Sequence, residues 1–358
     1  MKKRLFVLDV FRGLAVFIMV LVDAPPGDAI YPIFKHAPWE GLTIADFAFP
    51  FFVFAMGMSA ALAKAFPLNK VLFRSAKLFL IGLIFNLILE ILSSLVTDEG
   101  LNLSQFRILG ILQRLALTFL LGVMIVKLLK TNVKILIAAF SLMLISSVLS
   151  HLYCPENPFA IENNINLAVD LKILGANHLF RYGDPLFDPE NLFGTINSAS
   201  SMLFAFITCK ILIENLSVPS KLFRKLASFA LALFLCGLLW CHFDIVSKSL
   251  WTAPFSLFTS AICIVVLIFL YFIEDSAKTL LKPLAAFGMN ALPLFLATNL
   301  TLLILIYAFT IEDTPLYLWV WLHTVYGFIS PAFSALLYSL LWTSLWTIFN
   351  YKFLMRNS

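Results

Sequence analysis

Residues 31–50 read YPIFKHAPWEGLTIADFAFP, a short polar loop between two apolar runs that are each long enough to cross a membrane. The loop contains one histidine, His36, framed by Trp39, Glu40 and Asp46. Because imidazole titrates near neutral pH, a histidine at a membrane boundary can carry a proton or an acyl group. This segment therefore indicates a membrane protein and points to His36 as the centre of its chemistry.

The composition is that of a polytopic membrane protein. Of the 358 residues, 61% are hydrophobic and 13% are charged, whereas a soluble domain carries about 25% charged residues. The net charge of +5 does not indicate nucleic-acid binding, because the cations lie in short clusters between apolar runs. The first apolar run contains Asp9 and Arg12 and lacks a small-residue cleavage site, so we expect a retained helix rather than a signal peptide.

Ten segments have the length and apolarity of a spanning helix, which needs about 20 residues. Leu316–Ile329 is too interrupted to span, and its aromatic residues are typical of a short helix at the membrane interface. The sequence predicts an all-α fold with one transmembrane domain over residues 1–358. The ten predicted segments are approximately 5–23, 43–63, 76–96, 107–126, 134–152, 194–213, 226–242, 251–273, 283–309 and 331–350.

The distribution of cations predicts the orientation. With the N-terminus in the cytoplasm, eighteen of the 25 lysines and arginines fall on the cytoplasmic side and two lie within helices. The five on the outer side are Lys35, Arg107, Lys172, Arg181 and Lys248. The positive-inside rule then places both termini in the cytoplasm and the His36 loop outside.

The longest connection, at about residues 153–193, is predicted to lie on the outer face. It carries six acidic residues against two basic ones. Long ordered loops are often functional, and an acidic vestibule would favour a cationic or amine-bearing substrate. A solvated acidic loop without a partner explains the same composition equally well.

Ionisable and amide groups inside a bilayer are costly and need a reason. Asp9 and Arg12 share a helix face, so Arg12 is either a structural partner of Asp9 or a ligand for an anion that enters from the cytoplasm. Arg114 can pair with Glu90 or contact a ligand. Asn290 is predicted two turns inside the ninth helix, as a packing residue or a ligand contact.

Two carboxylates bracket His36 in the sequence. Asp23 and Asp46 lie at the ends of the two helices that flank its loop. A carboxylate bonded to one imidazole nitrogen orients the ring and raises its basicity, as a general base or an acyl carrier requires. We therefore predict that His36, Asp23 and Asp46 form a catalytic group.

Taken together, seven segments resemble the heparan-alpha-glucosaminide N-acetyltransferase family and its bacterial homologues. The histidine-containing segment and GTINS are the specific ones. The segments are LDVFRG at 8–13, KHAPWEGLTIADFAFPFFVFAMG at 35–57, ILGILQRLALTF at 108–119, GANHLFR at 175–181, DPENLFGTINS at 188–198, KSLWTAPFSL at 248–257 and FGMNAL at 287–292.

The resemblance implies an integral-membrane enzyme that moves acetyl from cytoplasmic acetyl-CoA to the amine of a glucosamine-type sugar on the far side, without a metal. The family's active-site histidine falls on His36, and the arginine of its LQRL motif falls on Arg114. We expect a bacterial inner-membrane protein with its His36 loop in the periplasm, and a homodimer is compatible with its aromatic-rich lipid face.

The remaining site residues are expected on two sides of the membrane. Arg12, Asn290 and Arg114 are candidates for binding CoA. The candidates for contacting the acceptor are Trp39, Glu40, His178, Asn197 and Ser198.

This chain departs from the family's pattern at two places. Asp23 stands where the family usually has an asparagine, and a carboxylate cannot donate to a carbonyl oxygen as an amide can. Ala176 and Asn177 replace an acidic pair before His178.

Two other functions remain open from the residues alone. One is a permease for amino sugars or small acids with His36 as a proton relay. The other is an acyltransferase that modifies a cell-wall or surface polysaccharide.

Overall fold

The fold is all-α, as predicted from the sequence. The computed structural model describes residues 5–28, 30–63, 65–96, 100–180 and 186–357. The sheet among these residues is a hairpin of two antiparallel strands with two residues each, β1 Thr310–Ile311 and β2 Thr314–Pro315. Twelve α-helices account for most of these residues. They are α1 Phe6–Asp23, α2 Ala48–Ala61, α3 Leu68–Ser94, α4 Ile111–Leu129, α5 Asn132–Tyr153, α6 Ile165–Ile173, α7 Thr195–Asn215, α8 Pro219–Trp240, α9 Ala253–Met289, α10 Ala291–Tyr307, α11 Leu316–Thr324 and α12 Pro331–Asn357.

Seven helices in the described part of the chain are long and apolar enough to cross a membrane, namely α3, α4, α5, α7, α8, α9 and α12. The segment Ala45–Ala61, which includes α2, and the helix α10 are shorter apolar helices. The helix α1 has 18 residues and carries Asp9, Arg12 and Asp23. Nine of the ten predicted segments each overlap one helix, and the segment 283–309 spans the end of α9 and the whole of α10. The figure of ten crossings stays a prediction.

Two predicted helix starts were too late. The helix α3 begins at Leu68 rather than near residue 76, and α8 begins at Pro219 rather than near residue 226. The added turns contain cations such as Arg74, whose aliphatic stem can lie along an apolar surface while its charged end reaches water. Proline suits the first turn of a helix, because the amide hydrogen that it lacks has no helical partner there.

The predicted end of the eighth segment, near residue 273, was also wrong. The helix α9 runs unbroken through residues 274–282, where the sequence predicted a connection, and it ends at Met289. Charged residues such as Glu274 and Lys278 are good helix formers, so the loss of hydropathy there ends the apolar run but not the helix. Asn290 consequently lies at the junction between α9 and α10 rather than two turns inside a helix.

A close helix crossing determines the position of α1. A Cβ atom at Gly13 would collide with the carbonyl oxygen of Leu284, and one at Gly288 would collide with that of Asp9. Small residues allow helix backbones to approach in this way in membrane proteins. The helix α1 therefore packs against the last turns of α9, and its C-terminal end at Asp23 is held at the His36 end of the helix bundle.

The predicted interfacial segment forms the short helix α11. Its Tyr317 is buried, and the Tyr317 hydroxyl donates a hydrogen bond to the carbonyl oxygen of Ala24, directly after α1. Unlike α11, the helices α3, α5 and α8 expose many large apolar side chains, including Phe73, Ile137 and Leu239. These exposed faces are suited to contact with lipid.

Candidate active site

His36 lies beside a small cavity at one end of the helix bundle, where α1 ends and α2 begins. The cavity has a volume of about 40 Å³, and a single water needs about 10–15 Å³ in the same measure. It therefore has room for a group the size of acetyl, but not for a sugar. Its lining residues are Met19, Asp23, His36, Ala45, Ala48, Phe49, Phe52, Ile111, Glu190 and Lys248.

Asp46 orients the His36 ring. The Asp46 carboxylate is fully buried, and its Oδ1 lies 2.8 Å from His36 Nδ1. Its other oxygen accepts hydrogen bonds from the backbone amides of Ala37 at 3.2 Å and Thr43 at 2.9 Å. Because an ionised carboxylate only accepts hydrogen bonds, Nδ1 carries the proton and Nε2 keeps a free lone pair.

The position of Asp46 follows from the local chain. A single 3₁₀ turn, Ala45–Phe47, precedes α2 and directs the Asp46 carboxylate back into the His36 loop. There it also accepts a hydrogen bond from the hydroxyl group of Thr43. The His36 side chain remains 47% exposed. Asp46 thus holds the ring while almost half of the side chain stays exposed to solvent.

Lys248 contacts His36 from a segment far away in the sequence. Its Nζ lies 3.3 Å from Nδ1 and 3.2 Å from Nε2 of the imidazole. From the sequence, Lys248 was predicted only to be one of the cations outside the membrane. The sequence feature that could have indicated a role for Lys248 in the site is its place as the first residue of the KSLWTAPFSL segment.

Asp23 and Glu190 bring two carboxyl groups to the same cavity. Asp23, predicted beside His36, lines the cavity from the end of α1, while the hydrogen bond to the ring comes from Asp46. Glu190 was not predicted. Burial raises the pKa of its carboxyl group, and the neighbouring Arg114 acts in the opposite direction.

Arg114 is paired with Glu190 and not with Glu90 as expected. Its Nη1 donates to the backbone oxygen of Pro189 at 2.8 Å and lies 3.4 Å from Glu190 Oε2. The guanidinium carbon lies 4.6 Å from the ring centroid of Trp251. Arg114 therefore joins α4 to two connections at the His36 end, and its role in binding CoA stays a prediction.

Asn197 and Ser198 build the wall behind the cavity. Asn197 Nδ2 donates to the backbone oxygen of Trp251 at 2.9 Å, and Ser198 Oγ lies 2.8 Å from Thr118 Oγ1. Both side chains are buried. They hold α7 against α4 and against the segment that carries Lys248. The contact with an acceptor that was predicted for both residues stays untested.

Trp39 and His178 fasten connections at this end of the bundle. Trp39 Nε1 donates to the backbone oxygen of Phe159 at 2.8 Å, and His178 Nδ1 lies 2.7 Å from the backbone oxygen of Phe106. Glu40 is exposed. Of these three predicted acceptor contacts, Glu40 is the one that faces solvent.

Among the described residues of the acidic loop, three of the acids are buried rather than turned towards solvent. Asp188 is buried and makes a bidentate pair with Arg107, at 2.9 and 2.7 Å. Asp170 is also buried, and its Oδ1 accepts a hydrogen bond from the amide of Leu192 at 2.9 Å. Together with Glu190, these acids attach the loop to the bundle. Asp184 lies outside the described residues.

Asp170 makes the stability of this loop dependent on pH. Burial, reinforced by the nearby Asp188, raises the pKa of Asp170 from 3.8 to about 7. Its neutral form is favoured in the folded protein, so this contribution to stability is complete below pH 3.8 and is lost as pH rises through about 7. In Asp170→Asn, which cannot ionise, we expect a Tm that exceeds that of the wild type increasingly between pH 5.5 and 8.5.

The measurement is a thermal unfolding curve of the detergent-solubilised protein at both pH values. Glu162→Gln is the matched control, because Glu162 is an exposed acid of the same loop. An equal Tm difference between Asp170→Asn and wild type at pH 5.5 and 8.5 would contradict the expectation.

A second, larger cleft opens at the opposite end of the bundle. It has a volume of about 400 Å³, and Arg12, Arg74 and Lys77 line its charged end. Arg12 Nη2 also donates to Asp9 Oδ1 at 2.6 Å. Arg12 is therefore a partner of Asp9 that also lines the cleft, and its role in binding CoA stays a prediction. Arg74 and Lys77 were not predicted as site residues.

Asn290 points to a neighbouring helix near this cleft. Its Nδ2 donates to Asn350 Oδ1 of α12 at 2.9 Å. The adjacent Met289 and Ala291 contribute to the lining of the cleft. A role for Asn290 in binding CoA stays a prediction.

Comparison with known proteins is most specific for the segment that contains His36. Residues 4–169 match the family described as heparan-alpha-glucosaminide N-acetyltransferase, catalytic. The resemblance stated from the sequence is thereby confirmed.

Two proteins named heparan-alpha-glucosaminide N-acetyltransferase are similar to this chain. The mouse protein is 27% identical over 332 residues, which cover 76% of this chain and 49% of the relative. The human protein is 40% identical over 126 residues, which cover 32% of this chain and 18% of the relative. The chain thus spans about half the length of the mouse relative.

The segment matched to the N-acetyltransferase family contains only part of the site. His36, Asp46 and Arg114 lie within it, whereas Glu190 and Lys248 come from later in the chain. The tertiary structure brings both groups to the same cavity.

Proposed function

We propose that this protein is a transmembrane N-acetyltransferase that takes acetyl from cytoplasmic acetyl-CoA and transfers it to the amine of a glucosamine-type sugar at the opposite face. The observation that carries the proposal is the relation between the two cavities. Phe52 and Ile111 line both the cleft with Arg12 and Arg74 at its end and the cavity beside His36. A single layer of side chains therefore separates a cationic cleft from a histidine.

The cleft suits the CoA part of the donor. Its volume of about 400 Å³ is within the range of about 300–1,000 Å³ for sites that bind small molecules. Arg12, Arg74 and Lys77 can form charge-assisted hydrogen bonds to phosphate groups. The apolar walls beyond them would surround the pantetheine arm and direct the thioester towards Phe52 and Ile111.

The acetyl group would then enter the cavity beside His36. The free Nε2 lone pair can remove a proton from the attacking amine, or it can attack the thioester and carry the acetyl group itself. Asp46 supports both routes, because it fixes the ring and stabilises the positive charge that the ring acquires. Since only acetyl needs to pass between the cavities, CoA would remain on its own side.

The direction of transfer is inferred from the cation distribution described above. It supports cytoplasmic termini and a His36 loop on the outer face. The ten crossings, from hydropathy, and the bacterial inner membrane, from the family resemblance, belong to the same proposal. Under this orientation the cleft with Arg12 and Arg74 faces the cytoplasm, where acetyl-CoA is made.

A sided assay tests the proposed function. Purified protein is reconstituted in vesicles, and its orientation is determined by protease accessibility. Radiolabelled acetyl-CoA is then supplied on the side of the Arg12 cleft and glucosamine on the other side. N-acetylglucosamine that appears with the acceptor supports the enzyme, whereas unmodified glucosamine crossing the vesicle wall would support a permease.

A panel of acyl-CoA donors and polysaccharide acceptors extends this assay. Acetyl transfer to free glucosamine is the expected result. Transfer of another acyl group to a polysaccharide, without reaction of glucosamine, would support the surface-polysaccharide alternative instead.

Arg74→Met is expected to weaken CoA binding about tenfold or more, since hydrogen bonds to charged groups contribute about 1.5–3 kcal/mol. The Arg74 guanidinium lies 4.5 Å from the ring centroid of Phe119, and methionine preserves part of this packing. The measurement is calorimetric titration of the purified protein with CoA.

Arg224→Met is the control, because Arg224 is an exposed cation of α8 that does not line the cleft. Unchanged CoA affinity in Arg74→Met would remove Arg74 from the proposed phosphate site.

A further inference from the structure

We propose that Lys248 binds the acetyl carbonyl oxygen during transfer and stabilises the negative charge that develops on it. This inference rests on the proposed function and adds a catalytic residue to it. Acyl transfer needs a hydrogen-bond donor where the carbonyl oxygen becomes negative. Among the described residues that line the cavity beside His36, Lys248 is the one cationic side chain.

The geometry places this cation over the face of the imidazole. Lys248 Nζ is almost equidistant from the two ring nitrogens of His36, at 3.3 and 3.2 Å. A donor in the ring plane at these distances would collide with a ring carbon. The ammonium therefore does not occupy the in-plane position of the Nε2 lone pair, and that lone pair stays free for chemistry.

The same geometry brings the ammonium close to the reacting atoms. An acetyl carbon that reacts beside Nε2 can direct its oxygen towards Nζ, on the same side of the ring. A donor stabilises an oxyanion effectively at about 2.7–3.1 Å, and a position 3.2 Å from Nε2 allows this approach with a small adjustment of the lysine side chain.

The backbone that carries Lys248 is held rigidly. The carbonyl oxygen of Val246 accepts a hydrogen bond from the amide of Gly41, in the His36 loop, at 2.8 Å. Asn191 Nδ2 donates to the carbonyl oxygen of Ser249 at 2.7 Å. These bonds tie the lysine segment both to the His36 loop and to the connection before α7.

Trp251 adds to this restraint. It has a φ of 51°, a left-handed conformation that is costly for a bulky residue and persists only where the surroundings enforce it. The indole is fully buried, with Phe49 packed edge-on at 5.1 Å. Lys248, three residues earlier, is therefore placed before any substrate arrives, as electrostatic stabilisation requires.

Surrounding carboxylates compensate the charge of Lys248. Asp23 and Glu190 line the same cavity and attract the ammonium, and Asp46 contacts His36 from the other side. His36 thus faces three carboxylates and one ammonium. The cavity can hold this cation without a counterion from solution.

The reaction balances without a proton from Lys248. In the direct route, the unprotonated amine forms a bond to the acetyl carbon, its proton passes to His36 Nε2, and the carbon–sulfur bond breaks to release CoA thiolate. In the covalent route, Nε2 first displaces the thiolate, and the amine then displaces Nε2, which takes the amine's proton as it leaves. In both routes, the carbonyl π electrons move to oxygen and return, while Lys248 donates a hydrogen bond and keeps its proton.

The kinetic test compares Lys248→Met, Lys248→Arg and the control Lys35→Met. Lys35 lies next to His36 in the sequence, but its Nζ donates to the backbone oxygen of Asp28. We expect Lys248→Met to lower kcat about 10²–10³-fold, as does the loss of one oxyanion donor, with little change in KM for acetyl-CoA. Lys248→Arg should recover part of the activity, and Lys35→Met should behave as wild type.

A pH–rate profile separates this role from an indirect one through His36. If Lys248 only disfavoured the charged imidazole, its loss would shift the acidic limb of the profile and a change of pH would restore the rate. A loss of kcat that persists at every pH between 6 and 9 supports the proposal. Wild-type kcat in Lys248→Met, or a loss that disappears with pH, would overturn it.

A spectroscopic measurement tests the contact without turnover. The probe is the ketone analogue of acetyl-CoA in which a methylene group separates sulfur from a carbon-13 carbonyl. Bound to wild-type protein, its carbonyl stretch should lie at lower frequency than in Lys248→Met. Equal frequencies in the two proteins would refute the Lys248 contact alone, whereas failure of wild type to bind the probe would contradict the proposed acetyl-CoA site.

Discussion

Replacing His36 with alanine is expected to reduce acetyl transfer about 10²–10⁴-fold, the usual effect of losing a general base. The protein should still fold and bind CoA, because the His36 side chain is 47% exposed and belongs to a loop. The cleft that would hold CoA lies on the other side of Phe52 and Ile111. The measurement combines the sided transfer assay with calorimetric titration of CoA.

His242→Ala is the matched control, since His242 is exposed in the connection after α8 and does not line the cavity. It should retain wild-type activity. If His36→Ala kept more than about a tenth of wild-type activity, the assignment of His36 as base or acetyl carrier would be wrong.

Asp46→Asn is expected to be nearly as damaging, with a fall in kcat of about 10²–10⁴-fold and a much smaller change in KM. One Asp46 oxygen accepts hydrogen bonds from Ala37 and Thr43, and the amide oxygen of asparagine can take this position. The amide nitrogen then faces His36 Nδ1 and donates to it. This contact favours the tautomer with the proton on Nε2, where the free lone pair is needed.

The control for this substitution is Asp28→Asn. It removes a carboxylate from the same connection between α1 and α2, but one whose side chain is exposed. Thermal unfolding should show that both variants remain folded. If Asp46→Asn lowered Tm and left kcat near wild type, Asp46 would be a structural residue of the loop only.

Part of the candidate site was predictable because it is local. His36 and Asp46 are ten residues apart, and the 3₁₀ turn before α2 is enough to bring them together. Lys248 is 212 residues from His36. No periodicity or spacing in the sequence connects residues so far apart, so the contact becomes visible only once the connection before α9 is folded against the His36 loop.

Charged residues in the long loop were misinterpreted for a related reason. Composition counts acids but does not show which way they face. Asp188 and Glu190 are directed inwards because Arg107 and Arg114 lie at the start of α4 and offer buried charge partners. Burying an ionised acid without a partner costs several kcal/mol.

The sequence by itself determined the helical membrane fold, the approximate positions of most of the helices and the catalytic candidate His36. Hydropathy suffices for these features, because every backbone polar group in lipid must be satisfied within a helix and a helix of fixed rise needs a known length. Hydropathy failed at α9, where charged residues continue the helix to Met289.

The tertiary structure decided which polar groups meet. Close packing of α1 on α9 through Gly13 and Gly288 orients the end of α1, and the hydrogen bonds around Val246 and Ser249 place Lys248 over His36. It also decided that Phe52 and Ile111 separate two cavities. These features depend on packing between distant segments, and the energy of each such contact exists only after the chain has brought its partners together.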